Sequence, residues 1–74
     1  MMNTMTMERI KNEAAREVFE GTGYNWVDML DQTAEQDRQA IRMSEDESRV
    51  FWKEYFEDLL EAVRWSDQEE EDAE

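Results

Sequence analysis

Glu54, Glu57, Asp58 and Glu61 stand three or four residues apart, the interval that brings side chains onto one face of an α-helix. Carboxylates so placed could pair with cations, hold a metal ion, or exchange protons as an acid–base couple. Acid–base work needs a pocket that drives two carboxyl pKa values apart, and a short helical chain with its acids on exposed faces offers none that is evident. Glu69, Glu70, Glu71 and Asp72 could hold a divalent cation only loosely, because the sequence contains no D-x-D-x-D-G calcium loop. Histidine and cysteine are both absent, which removes the commonest general base, the commonest metal ligand and the thiol nucleophile. Ser44, Ser48 and Ser66 have no histidine or suitably buried lysine beside them, and Gly21-Thr22-Gly23 lacks the rest of either phosphate-loop pattern. Neither enzyme activity nor a cofactor nor a metal is expected. Ion pairing with a cationic partner is the chemistry that remains.

The distribution of charge agrees. The 74 residues carry 21 acids and 8 bases, a formal net charge of −13. Residues 1–43 hold 8 acids and 5 bases, net −3, and residues 44–74 hold 13 acids and 3 bases, net −10. So dense a negative end repels nucleic acid and anionic lipid, and attracts basic surfaces over a Debye length of roughly 8 Å at physiological salt. Lys and Arg are scattered, and the aromatics belong to helical faces, so direct nucleic-acid binding is disfavoured. Arg38 and Arg42, with Arg49 nearby, make one local basic patch, expected to pair with acids of the first or last helix.

A chain of this length makes one small domain whose core leaves only a few kcal/mol net of chain entropy, so a bound partner or a homodimer is a reasonable expectation. The lack of cysteine fits a reducing compartment. No run approaches the roughly 18 apolar residues of a membrane span, and the sequence reads as soluble and cytoplasmic. Three Trp, three Phe and two Tyr argue for an ordered core. Residues 66–74 are different: six of the nine are acidic and only Ala73 is apolar, so they read as an unstructured tail after a helical domain over 1–65.

Those side chains must be positioned by helices, since proline is absent and no period-2 alternation of β-branched residues occurs. The first helix is expected over about Thr6 to Glu20, with Met7, Ile10, Ala14 and Val18 in one stripe flanked by Ala15 and Phe19, and Arg9, Glu13, Arg16 and Glu20 opposite. Gly21 ends it as a residue free to turn left-handed. Asn25 reads as the N-cap of a short helix from Trp26 to about Asp31, with Tyr24 stapled against Met29. Thr33-Ala34-Glu35-Gln36 is a capping box that restarts a helix through Met43, with Leu30, Ala34 and Ile41 on its sparse apolar side. Ser44-Glu45-Asp46-Glu47 is a second box, opening the last helix at about Glu45 and carrying it to Trp65. A single helix over 33–65 with a bend near Ser44 is the alternative; the break is preferred. The fold class is all-α, a bundle of three to four helices.

In that last helix Phe51, Trp52, Tyr55, Phe56, Leu59, Leu60, Ala62 and Val63 fill an arc of about 180°, where a helix packed on one side needs somewhat over 100°. One neighbour cannot cover it, so the first and middle helices clasp it together or part of it meets another chain. Opposite stand Glu54, Glu57, Asp58 and Glu61. The like-charged pairs Glu54/Asp58 and Glu57/Glu61 each cost roughly a few tenths of a kcal/mol, offset in part by Glu45/Arg49 and Lys53/Glu57. A solvated face serving solubility is the plain reading. The functional reading is imitation of a phosphate backbone, with carboxylates one turn apart, about 5–6 Å from one another, entering a groove lined by Lys and Arg.

Tyr24-Asn25-Trp26-Val27-Asp28-Met29-Leu30-Asp31-Gln32-Thr33, followed by Glu35, Arg38 and Ile41, resembles a pattern of small phage and prophage reading frames: Trp, an apolar pair, a Thr or Ser cap, then Glu and Arg on a helix. The second aromatic or Arg usual near Asp37 is missing. In size, charge and lack of catalytic residues the whole chain resembles phage-encoded inhibitors such as anti-CRISPR proteins, several of which are acidic DNA mimics. The resemblance implies a host cytoplasmic setting and, as partner, a basic nucleic-acid-binding protein of the host. The partner-binding residues expected are Glu54, Glu57, Asp58 and Glu61, with Asp67, Glu69, Glu70, Glu71 and Asp72 adding long-range attraction. The rival is a helical interaction module or small dimeric regulator that binds through the apolar arc of the last helix.

Overall fold

The structure, a computed structural model, describes residues 2–72, with the side chains of residues 2–64. Its elements are α1 (Thr4–Phe19), a 3-10 turn (Asp28–Gln32), α2 (Ala34–Ala40) and α3 (Glu45–Asp72), an all-α arrangement with no strand among the described residues. α3 packs chiefly against α1 and to a lesser extent against α2.

α1 begins two residues before the expected start because Asn3 caps it: its Oδ1 accepts from Thr6 N–H at 2.8 Å, satisfying one of the orphan donors of the first turn. Met7, Ile10, Ala14, Ala15 and Phe19 are buried, whereas Val18 is only half-buried. The buried stripe therefore runs through Ala15 and Phe19, the positions expected at its flank. Arg9, Glu13, Arg16 and Glu20 face water as expected. Beyond Phe19 the chain reverses in a type II turn. Glu20 sits at φ −60°, ψ 126°, Gly21 at φ 86°, and Thr22 N–H donates to Phe19 O at 3.1 Å. The left-handed position belongs to the glycine, where a Cβ would carry strain.

The second element departs from expectation. Asn25 accepts from Val27 N–H at 3.1 Å, an Asx turn, and the residues that follow wind as a 3-10 segment with Met29 N–H on Trp26 O and Leu30 N–H on Val27 O. Tyr24, Trp26, Met29 and Leu30 pack half-buried against the core. The box expected at Thr33 does not form: Thr33 makes no side-chain cap bond, because its hydroxyl is engaged by Lys11. α2 stops at Ala40, earlier than Met43; Ala40 is its buried residue, Thr33 just before it is buried too, and Leu30 and Ile41 pack half-buried against the core as expected. Ala34 is exposed.

At Ser44 the expected break is present. Ser44 Oγ accepts from Glu47 N–H at 3.3 Å, the N-cap half of the expected box at the start of α3, while the Glu47 carboxylate accepts from the Ser44 hydroxyl at 3.3 Å and not from its backbone N–H. Three acids, Glu45, Asp46 and Glu47, occupy its first turn and complement the helix dipole. The backbone stays helical past Trp65 to Asp72, with no glycine or proline to stop it. The side chains from residue 65 on, and with them the indole of Trp65 and the acidic groups expected over 66–74, lie outside the described residues, as do residues 73 and 74 altogether.

The core is aromatic at its centre. Trp52 and Phe56 are fully buried, their rings stacked at 5.6 Å, and Phe56 meets Phe19 of α1 edge-on at 6.0 Å. Burying such a side chain contributes about 1.5–3 kcal/mol, and edge-to-face pairs add somewhat to that. These contacts fix the rotation of α3 about its own axis, and so decide what it shows to water.

Candidate functional site

Because α3 turns Trp52 and Phe56 inward, the residues on its far side must point away from the bundle. Glu54, Glu57, Asp58 and Glu61 are all exposed. None of them belongs to an ion pair among the described residues, where the pairs are Lys11–Asp37 at 3.0 Å and Lys53–Glu17 at 3.5 Å. Lys53 thus pairs across to α1 and not with Glu57 on its own helix. Arg38, Arg42 and Arg49 are exposed and in neither pair, contrary to the expectation that they would neutralise acids of the first or last helix. Arg38 lies on the side of α2 away from the buried Ala40, and Arg42 and Arg49 likewise face water. The ridge is left as a run of fixed negative charge over two helical turns. The side chains of Asp67, Glu69, Glu70, Glu71 and Asp72, also expected to bind the partner, lie outside the described residues.

Sequence reasoning missed two groups. One is internal: Lys11 is 4% exposed, and its ammonium donates to Thr33 Oγ1 at 3.0 Å, to Asp37 Oδ1 at 3.0 Å and to Leu30 O at 3.5 Å. The three acceptors saturate its three N–H donors, and the ammonium also lies 5.4 Å from the centre of the Trp52 ring. Thr33 Oγ1 in turn faces Leu30 O at 3.0 Å and Asp37 Oδ1 at 3.2 Å. This cluster ties α1 to the 3-10 turn and α2. Its signal was available, since Lys11 falls within about 40° of the apolar stripe of its helix and Thr33 precedes Asp37 by one turn. Burial, and after it the negative charge of Asp37, pushes the Tyr55 phenol above its ordinary range.

The other missed group is on the surface. Met43, Asp46, Glu47, Val50, Phe51 and Glu54 line an open cleft of about 470 Å³ at the start of α3. Val50 is 57% exposed there, an apolar residue on the acidic side of the helix. Glu54 belongs both to the cleft and to the ridge.

Among the described residues no group of three or more carboxylates is placed to hold a metal ion, and no helix is long and apolar enough to cross a membrane. The exposed face of α3 presents Glu54, Glu57, Asp58 and Glu61 to solvent as unpaired carboxylates among the described residues. No protein-family profile matches the chain, and neither curated proteins nor solved structures give a match.

Proposed function

We propose that this protein is an acidic stoichiometric inhibitor, phage-encoded and acting in the host cytoplasm, that occupies the basic nucleic-acid-binding site of a host protein. One observation carries the reading: Glu54, Glu57, Asp58 and Glu61 are all exposed on one rigidly oriented helix face, and no cation of the described chain neutralises them. A face of this kind keeps its counterions in solution and releases them when Lys and Arg of a partner take their place, the same entropy source that nucleic acid exploits. Because the acids sit on a helix clamped by Trp52 and Phe56, little ordering is required on binding, which favours affinity.

The rival reading, docking through the apolar arc of α3, is disfavoured by burial. Trp52 and Phe56 at the middle of that arc are 0% exposed, so a partner could reach only its half-buried edges and the exposed Ala62 without unfolding the bundle.

The test is capture of partners from a bacterial lysate at low and at high salt, followed by challenge with duplex DNA. A nucleic-acid-binding protein that is retained at low salt, lost at high salt and displaced by DNA agrees with the proposal. A partner held equally at both salt concentrations and indifferent to DNA rules it out.

A further inference from the structure

The cleft at the start of α3 has a floor of one kind and a rim of another. Met43, Val50 and Phe51 are apolar, and Asp46, Glu47 and Glu54 stand around them. On α3 these residues follow the i, i+4 rows Asp46–Val50–Glu54 and Glu47–Phe51, so the cleft runs along the helix for about 12 Å, two turns at 1.5 Å per residue. It lies on the same side of α3 as the ridge, one end continuous with the other through Glu54.

We infer that this cleft receives a basic amphipathic helix of another protein, with an apolar side chain of that helix seated on Val50 and Phe51 and its flanking Lys or Arg residues paired with Asp46, Glu47 and Glu54. The inference rests on the acidic-face reading above for the sign of the partner's charge, and adds to it an anchor that excludes water. Charge decides the occupant. A second copy of this chain would bring the same carboxylate rim onto itself in a chain of net charge −13, and a small apolar ligand in so open a cleft would keep one side in water. A helix laid along α3 covers Val50 and satisfies the rim together, the arrangement by which helix-in-groove recognition combines apolar anchors with charged flanks. The apolar contact also supplies binding that salt does not screen, which the ridge alone lacks.

The probe is a synthetic helical peptide with leucines at i, i+4 and i+7 and lysines on either flank. Its control has the same composition permuted so that the leucines are spread round the helix. Binding to the full chain is measured by calorimetry, with NMR shifts followed at the Val50 methyls and the Phe51 ring. The expected result is that the amphipathic peptide binds about tenfold or more tightly than its permutation, shifts both residues, and is weakened about tenfold by V50E. Because V50E adds negative charge, contact by charge alone would leave affinity unchanged or raised, and that result overturns the inference. So does failure of the peptide to bind, or sedimentation showing a dimer that V50E dissociates. Reversal of Glu57, Asp58 and Glu61 to Lys separates the two readings. Peptide binding that depends on Val50 but survives the reversal upholds the cleft and removes the ridge; binding lost on reversal but indifferent to V50E upholds the ridge and removes the cleft.

Discussion

Lys11 and Asp37 meet at 3.0 Å across the interface between α1 and α2, and they are unequally hidden: the lysine side chain is 5% exposed and the aspartate 31%. The pair is the polar counterpart of the aromatic contacts between α1 and α3. Together with packing on α3, it holds in place an α2 of seven residues that buries a single alanine.

The inequality predicts an order of stabilities. Replacing Asp37 with Ala strands an ammonium that water cannot reach, which costs about 3–5 kcal/mol. Replacing Lys11 with Met keeps most of the packing and leaves Asp37 where water can partly solvate it, so the cost is about 2 kcal/mol or less. Urea unfolding of the two variants checks this, and a larger loss for Lys11→Met is inconsistent with a buried, fully paired ammonium.

Tyr55 should report on the same cluster in alkali. Its phenol is held neutral by burial first and by Asp37 second, so its folded pKa lies above that of the unfolded chain, about 10. A group with a raised folded pKa adds stability that is complete below the unfolded value and is lost as pH rises through the folded one. Thermal stability should therefore fall above about pH 10, and less so in Tyr55→Phe. An NMR titration of the Tyr55 ring with a midpoint at or below the ordinary value would falsify this.

At the turn after α1, Gly21→Ala should destabilise by about 1–2 kcal/mol although no atom lies within 4 Å of the Cβ position, since the cost is backbone strain at φ 86° and not a clash. Chemical denaturation measures it. An unchanged midpoint would mean that the turn can relax out of the left-handed region.

The ridge should carry a small penalty in stability. The double variant Glu57→Gln, Asp58→Asn is expected to raise Tm slightly at low salt and to leave it unchanged at high salt, because the repulsion it relieves is screened there. A lowered Tm would indicate that these acids serve the fold.

How far these features could be read from the sequence follows from where each signal lies. The Ser44 cap, the glycine turn and the inward Trp52 and Phe56 are local in sequence or strictly periodic, and they appear in the structure as expected. Thr33 carries the same cap signature as Ser44, yet its hydroxyl goes to Lys11, 22 residues away, and a tertiary partner outcompetes the local one. The stripe position of Lys11 was legible, but its burial was not, because the acceptors that make a lysine tolerable there, Thr33 and Asp37, are more than 20 residues away. The outward direction of Glu54, Glu57, Asp58 and Glu61 was legible because it is the complement of the apolar arc. Val50 was not, since one valine among acids carries no periodic signal, and only the position of Met43 turns it into the floor of a cleft.

The decisive experiment is affinity for the captured host protein as a function of salt, compared between the natural chain and a variant with Glu54, Glu57, Asp58 and Glu61 all changed to Lys, circular dichroism verifying that both are equally helical. The expected result is steep salt dependence for the natural chain and loss of binding in the variant. Equal affinity for the two chains, with a flat salt response, would show that the acidic face of α3 does not make the contact.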